Sequence, residues 1–248
     1  MAIDYTKKPK PAAAASPGPA GPAGPAGPAG PANPVSLSKV TLTKSAPSVS
    51  LTKAGSAGGT LRVNLNWNAR PPSAPAPAAG GFLKRMMSPG SSSGIDLDLG
   101  CLYEYADGSK GVVQALGNAF RDQHTLGPDP ICWLDGDDRS GTNTAGENLF
   151  VNLAHVAAIK RIIVFAFIYQ GVPNWGEADG VVTLFPASGP EVEVRLDETR
   201  PGNGMCGIAM LENIGGDLQV RREVNYVKGH ADLDRAFGWG LRWTAGSK

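Results

Sequence analysis

The sequence predicts an all-β protein, a β-sandwich of two mainly antiparallel sheets with very short helices. Three observations favour this class. Short segments such as Thr60 to Trp67 alternate apolar and polar residues with a period of two. Turn-forming residues separate these segments, and the helical period is almost absent. The predicted strands, in chain order, are Val35 to Thr43, Val49 to Thr52, Thr60 to Trp67, Gly94 to Tyr105, Gly111 to Leu116, Ile131 to Leu134, Asn148 to Leu153, Arg161 to Tyr169, Gly180 to Phe185, Glu191 to Leu196, Met205 to Ile214, Leu218 to Val227 and Gly238 to Trp243.

The segments around these strands carry signals of their own. Asp107-Gly108 and Gly215-Gly216-Asp217 favour tight hairpin turns. The apolar run from Arg161 to Tyr169 is typical of a central strand that is buried on both faces. A short amphipathic segment, Ala231 to Phe237, predicts a short helix before the last strand.

The chain divides into a tail, residues 1–34, and one β-sandwich domain, residues 35–248. In the tail Gly-Pro-Ala repeats five times between Gly18 and Ala32. This composition favours a disordered, polyproline-II-like spacer, because it cannot bury enough apolar surface to offset the entropy of ordering the chain. The domain contains a long loop rich in Pro, Ser and Gly at residues 70–93, and long loops inside compact domains are often functional.

Charge and composition argue against several classes of function. The 23 basic and 22 acidic residues nearly balance, so electrostatic binding of nucleic acid is not expected. No apolar run is long enough to span a membrane, and the first residues lack the apolar segment of a secretory signal. Cys101, Cys132 and Cys206 lack CxxC spacing, which fits a reducing cytoplasm, and each is expected to be a buried small hydrophobe. His124, His155 and His230 lack the spacing of a zinc site and are expected to be ordinary polar residues.

Two acidic stretches carry the candidate site. In residues 94–100 the period-two alternation places Asp96 and Asp98 on one face of a strand, where the like charges repel each other. Residues 135–148 are rich in oxygen ligands and in glycines. We expect the two stretches to meet and hold a hard cation. Calcium is expected rather than magnesium, because magnesium prefers few protein ligands and retains bound water. The predicted ligands are Asp96, Asp98, Asp137 and Asp138, with Asn143 and Glu147 in support.

Other interpretations of these residues stay open. The Asp-Gly step at residues 135–136 is also a common turn signal. Asp96 and Asp98 could resemble the carboxylate pair of a hydrolase. No nucleophile elbow, phosphate-binding loop or dinucleotide motif supports an enzyme, so we expect no catalytic residues. Trp175 follows the central strand on a predicted loop, where it either rims the metal end or a partner surface or is simply packed.

A basic and apolar hexapeptide in the long loop is a candidate contact surface. Four apolar side chains interleaved with two cations suit a partner protein or an acidic membrane surface. The alternative is that the apolar side chains fold back and cover the sandwich. The residues are Phe82, Leu83, Lys84, Arg85, Met86 and Met87.

Several motifs occur in an order that resembles a known family. They are Val35-Ser-Leu-Ser-Lys, Val49-Ser-Leu-Thr-Lys, Leu65-Asn-Trp, Gly94-Ile-Asp-Leu-Asp, Gly136-Asp-Asp-Arg-Ser-Gly and Ile162 to Phe167. In this order they resemble the TerD-domain family of bacterial tellurium-resistance and stress proteins, over about Val35 to Trp243. Further details are most similar to the TerA-type branch of that family: Gly100-Cys-Leu-Tyr, Lys110-Gly-Val-Val-Gln-Ala-Leu-Gly-Asn and Ala236-Phe-Gly-Trp.

The resemblance implies a calcium-binding β-sandwich in a multiprotein stress complex near the inner membrane, with no established catalytic activity. Its expected partners are other TerD-family proteins and a membrane protein, and its expected location is cytoplasmic, with a peripheral position at the inner membrane as the alternative. The hexapeptide at residues 82–87 is the candidate for such a membrane contact. In the family the acidic loop typically continues with several more acidic residues, whereas residues 142–148 hold one carboxylate, Glu147. One weakly bound calcium ion is therefore expected rather than two, and the alternative is that no ion binds. The alternative function is a metal-assisted hydrolase, or a sandwich that binds a cyclic nucleotide or sugar in the same acidic pocket.

Overall fold

Two six-stranded sheets make up the fold in the part of the chain that the structure describes. The structure is a computed structural model, and it describes residues 39–51, 53, 58–67, 95–125, 127–136 and 146–244. The strands are β1 Lys39–Thr41, β2 Ser48–Ser50, β3 Thr60–Asn66, β4 Asp96–Tyr105, β5 Lys110–Gln114, β6 Cys132–Leu134, β7 Glu147–Asn152, β8 Ile159–Gln170, β9 Gly180–Phe185, β10 Glu191–Leu196, β11 Met205–Ile214 and β12 Asp217–Val227. Two short α-helices, α1 Trp175–Ala178 and α2 His230–Phe237, and a 3₁₀ helix, Leu153–Ala158, complete the described elements.

The strand order confirms the predicted mainly antiparallel sandwich. The first sheet runs β1-β10-β9-β3-β7-β6, and the second runs β2-β12-β11-β8-β4-β5. Among the described strands β1 and β10 form the one parallel pair. The hairpin between β11 and β12 turns at Gly215 and Gly216, whose φ angles of 63° and 88° lie where glycine is strongly favoured. The predicted hairpin at this position is therefore confirmed.

The central strands of the second sheet are buried on both faces, which explains the continuous apolar run of β8. Leu97 and Leu99 of β4 belong to the main core between the sheets. Leu102 of β4 belongs to a second apolar cluster on the outer face, together with Leu233 of α2 and Trp239. All ten residues of β4 are buried as a result. Helix α2, which the amphipathic segment Ala231 to Phe237 predicted, covers that outer face.

The predicted last strand, Gly238 to Trp243, is wrong. This segment pairs with neither sheet and instead wraps around the end of α2. The buried Asp234 carboxylate accepts hydrogen bonds from the Gly240 N–H (2.8 Å), the Leu241 N–H (2.8 Å) and the Trp243 indole (3.1 Å). Apolar residues alternate here because they pack against the outer cluster, and this produces a strand-like pattern without a strand.

Three predicted features lie outside the described residues: the tail 1–34, the loop 70–93 and most of the acidic loop. Their predictions therefore remain predictions. No helix in the described part of the chain is both long enough and apolar enough to cross a membrane.

Candidate functional site at the start of strand β4

Three strand ends meet where β4 begins. The Trp67 indole N–H, just after β3, donates to the Ile95 carbonyl at 2.9 Å. The Leu99 N–H of β4 donates to Oε2 of Glu147, the first residue of β7, at 2.7 Å. β5 pairs with β4 only from Gly100 onward, so the backbone before Gly100 has no β5 partner and is accessible to Glu147. The two acidic stretches of the sequence are therefore in contact through Glu147.

The carboxylates at this end are buried. Asp96, Asp98 and Glu147 are 3%, 0% and 3% exposed. Because Leu97 and Leu99 point into the core between the sheets, the alternation of β4 directs Asp96 and Asp98 to the opposite face. We call these three carboxylates the acidic end of β4. Burying a carboxylate is costly unless a cation or hydrogen bonds compensate for the lost water.

The ends of the acidic loop are held together by an amide network that sequence reasoning missed. Asn148 Nδ2 donates to Asp135 Oδ2 at 2.8 Å, and the Asn148 N–H donates to Asp135 Oδ1 at 3.3 Å. Asn148 Oδ1 in turn accepts from Asn64 Nδ2 (3.0 Å) and from the Arg62 guanidinium (3.0 Å). Asp135 therefore anchors the loop to β7. The only sequence signal was its position, immediately after β6.

Gly146 is required for the loop to enter β7. Its φ is 69°, and a Cβ at this position would lie 2.2 Å from the Leu65 carbonyl oxygen of β3. Only glycine can adopt this backbone at that distance. The loop therefore returns along the end of β3, directly before Glu147.

Half of the predicted ligand set can be placed. Asp96, Asp98 and Glu147 are brought to the same end of the sandwich, whereas Asp137, Asp138 and Asn143 lie outside the described residues. Within the described residues no three His, Cys, Asp or Glu side chains form a group that could hold a metal ion. The three placed carboxylates are thus not a complete site by themselves, and the other predicted ligands are on the loop that they border.

The opposite end of β4 carries a different charged group, which we call the Glu104 cluster. Glu104 binds Lys160 Nζ at 2.7 Å and Arg161 Nε at 2.6 Å, and Lys110 Nζ lies 3.7 Å away. Burial alone would raise the pKa of Glu104, but the hydrogen bonds from Lys160 and Arg161 outweigh it and lower the pKa to about 2. Arg161 also donates to the Phe237 carbonyl at 2.9 Å and stacks on Trp239.

Trp175 and the three cysteines have structural roles. Trp175 begins α1 rather than lying on an open loop; it is fully buried, and its indole donates to the Asn203 carbonyl at 2.9 Å. It therefore belongs to the core, as one of the two alternatives had it. The three cysteines are buried and free, as predicted. Burial raises the pKa of the Cys101 thiol, which disfavours the reactive thiolate.

Asp122 is a buried acid that sequence reasoning did not single out. It is 2% exposed and accepts hydrogen bonds from the N–H groups of Thr125 (2.7 Å) and Ile131 (2.8 Å) and, at 3.1 Å, Cys132. Burial raises its pKa, but these hydrogen bonds lower it on balance. Its role is to hold the turn before β6.

Comparison with known proteins finds sequence similarity to a tellurium-resistance protein. No family model matches the chain. A tellurium resistance protein TerA from Alcaligenes sp is 46% identical over 214 residues, which are 86% of this chain and 60% of the relative. The chain thus spans about three fifths of the length of that relative. A crystal structure of a homologue of telluride resistance protein (TerD) from Streptomyces coelicolor A3(2) is 18% identical, with a TM-score of 0.46 over 71% of this chain and 95% of that chain.

The chain is therefore a β-sandwich protein that is similar, over most of its length, to a tellurium resistance protein, in line with the resemblance that its motifs carry. The relative that it matches is a TerA protein.

Proposed function

We propose that this protein is a calcium-binding, non-catalytic component of tellurium resistance. The role in tellurium resistance follows from the similarity to the TerA protein of Alcaligenes sp. The observation that carries the calcium proposal is the 2.7 Å hydrogen bond from the Leu99 N–H to Glu147 Oε2. It joins the strand that carries Asp96 and Asp98 to the strand that follows the acidic loop.

The chemistry of the acidic end suits calcium. Asp96, Asp98 and Glu147 offer only oxygen atoms, and calcium takes six to eight oxygen ligands in flexible geometry. A divalent cation would offset the repulsion between Asp96 and Asp98, which are almost fully buried on one face of β4. No nitrogen or sulfur donor is needed, which separates such a site from a zinc site.

The acidic loop would supply the rest of the ligands. Its ends are fixed by the Asp135–Asn148 hydrogen bonds and by Gly146, so it begins and ends beside the carboxylates of β4. Asp137, Asp138 and Asn143 lie between those fixed points in the sequence. Oxygen atoms of the loop, joined by carboxylates of the acidic end of β4, would give enough ligands for one ion, in line with the single carboxylate in residues 142–148.

Thermal melting in calcium tests this proposal. An ion that binds only the folded state stabilises it by mass action, so the melting temperature should rise between micromolar and millimolar calcium. Asp98→Asn should remove most of that rise, because it takes one negative charge from the site and keeps the side-chain size. Asp217→Asn, in the β11–β12 hairpin, is the matched control and should keep the rise. If calcium leaves the wild-type melt unchanged, the proposal is wrong.

The non-catalytic part of the proposal has its own test. The calcium-loaded protein should turn over no substrate in a panel of phosphoesters and glycosides. Turnover that Asp98→Asn abolishes would instead favour the metal-assisted hydrolase.

We also propose that the protein assembles with related sandwiches and a membrane protein through residues 82–87. Changing Phe82, Leu83, Met86 and Met87 together to Ser should leave the melting temperature in place and weaken pull-down of the complex or binding to anionic vesicles. A drop in stability of several kcal/mol would show instead that these side chains are core, since losing buried apolar side chains costs about 2–5 kcal/mol each.

A further inference from the structure

We propose that the cleft beside β5 is a binding site for a small organic anion that carries a flat aromatic ring. The cleft lies between β5, the turn that follows it and the C-terminal segment 241–244, and its volume is about 560 Å³. Pockets for small molecules are typically about 300–1,000 Å³, so the space suits a ligand of one or two rings. We call it the β5 cleft.

The charge of the β5 cleft selects an anion. Lys110 and Arg242 line it, and none of its lining residues is Asp or Glu. Lys110 lies 3.7 Å from Glu104, but Lys160 and Arg161 bind that carboxylate more closely, at 2.7 and 2.6 Å. Lys110 Nζ also donates to the Trp239 carbonyl at 3.0 Å, a neutral acceptor. Three cations thus surround one carboxylate, which leaves this group with a net positive charge. A cleft with two cations and no lining carboxylate attracts negative charge.

The wall of the β5 cleft favours a flat ring. The Trp243 and His230 rings lie 5.0 Å apart between centroids, and His230 also meets Phe167 edge-on at 5.1 Å. The indole of Trp243 is fixed by its 3.1 Å hydrogen bond to Asp234. An aromatic surface held in place in this way can stack a ligand ring without losing much side-chain entropy.

The polar groups of the β5 cleft are oriented by neighbouring side chains. His230 Nε2 and Gln114 Oε1 are 2.7 Å apart, which orients the Gln114 amide. Tyr103 OH lies 2.8 Å from His124 Nδ1 and accepts from the Gln123 N–H at 3.2 Å. Burial lowers the pKa of His230, which favours the neutral ring at pH 7. A neutral imidazole has a single N–H group, and His230 can donate it to the Gln114 carbonyl oxygen. A few oriented polar groups on an apolar wall are typical of small-molecule sites.

This inference is independent of the calcium proposal. None of the residues that line the β5 cleft belongs to the acidic end of β4. The two sites can therefore succeed or fail separately.

Calorimetric titration of the full chain with 1-naphthoate tests the inference, with 1-naphthalenemethanol as the uncharged probe of the same shape. We expect naphthoate to bind at least about tenfold tighter than the alcohol, a difference of about 1.4 kcal/mol. Arg242→Gln should weaken naphthoate binding about fivefold or more, since the exposed Arg242 supplies one of the two charges. Arg195→Gln, on the other sheet and 62% exposed, is the matched control and should bind like the wild type.

The position of the probe decides the remaining cases. In ¹⁵N-resolved NMR spectra, naphthoate should shift the Trp243 indole and Gln114 side-chain signals. Equal binding of acid and alcohol, the absence of saturable binding, or binding that leaves both signals unshifted would each overturn the inference. Loss of binding in Arg242→Gln with an unchanged melting temperature supports it.

Discussion

The two ends of β4 bury acidic side chains in different ways. At one end, the Glu104 carboxylate meets Lys160, Arg161 and Lys110, cations that the protein itself supplies. At the other end, Asp96, Asp98 and Glu147 are equally buried, and we propose that calcium supplies the positive charge. Since both ends belong to one ten-residue buried strand, the proposal implies one permanent and one ion-dependent way of compensating buried negative charge. The Glu104 end should contribute the same stability with and without calcium. The acidic end should contribute more stability when calcium is bound.

Removing the charge at the Glu104 end should have the largest effect. Glu104→Gln leaves three cations together and loses the charged hydrogen bonds to Lys160 and Arg161. Breaking a fully buried ion pair costs about 3–5 kcal/mol, and we expect about 2–3 kcal/mol here because Lys160 remains 60% exposed to water. Urea denaturation at pH 7 measures this loss. A loss that calcium restores would contradict the difference between the two ends.

Acid should remove the same contribution in the wild type. Folding lowers the pKa of Glu104 from its ordinary 4.5 to about 2. A lowered pKa adds stability above the unfolded value and loses it as the pH falls through the folded value. The stability difference between wild type and Glu104→Gln should therefore be constant above about pH 5 and shrink between about pH 4.5 and pH 2. If the stability difference between the two proteins grew as the pH fell, the lowered pKa of Glu104 would be wrong.

Arg161→Lys should have a smaller effect, because it keeps the charge beside Glu104. The lysine loses the 2.9 Å bond to the Phe237 carbonyl and the stacking of the guanidinium on Trp239, 4.0 Å from the ring. We expect a loss of about 1–2 kcal/mol in the free energy of unfolding. Arg200→Lys, where Arg200 forms an exposed pair with Glu198, is the control and should change the free energy of unfolding by less than about 0.5 kcal/mol. Equal losses in both variants would show that the packing on Trp239 contributes nothing.

At the acidic end, Glu147→Gln separates the hydrogen bond from the charge. A glutamine oxygen can still accept from the Leu99 N–H, so stability without calcium should change by less than about 1 kcal/mol. Calcium affinity should fall about tenfold, because ligand charge governs it. Glu193→Gln, a buried carboxylate of the same sheet that pairs with Lys39, should leave calcium affinity unchanged.

Deleting residues 1–34 should have the smallest effect. The Gly-Pro-Ala repeats cannot bury enough apolar surface to contribute to the stability of either end. The thermal transition of the shortened chain should match that of the full chain. A fall of several degrees would show that the tail is docked on the domain.

The sequence predicted the strands and the acidic end for one physical reason. Alternation with a period of two is written in consecutive residues, so Thr60 to Trp67, Asp96 and Asp98 could be assigned to faces of strands. The same rule failed at Gly238 to Trp243, where apolar residues alternate against the end of α2. Local pattern does not show which partner a segment meets.

The Glu104 cluster and the loop anchors could not be predicted in this way. Lys160 and Arg161 are 56 and 57 residues from Glu104 along the chain, and only the register of β4 with β8 brings them together. Asp135 and Asn148 likewise meet because β6 pairs with β7. The β5 cleft depends on the path of the C-terminal segment, which was predicted wrongly.

Calorimetric titration of the wild-type protein with calcium tests the central claim most directly. The protein is first stripped of ions with a chelator, and magnesium is titrated separately as the comparison. We predict saturable binding of one calcium ion per chain, tighter than that of magnesium, and a higher melting temperature in the loaded protein. No binding heat at micromolar to millimolar calcium, together with an unchanged melt, would contradict the account.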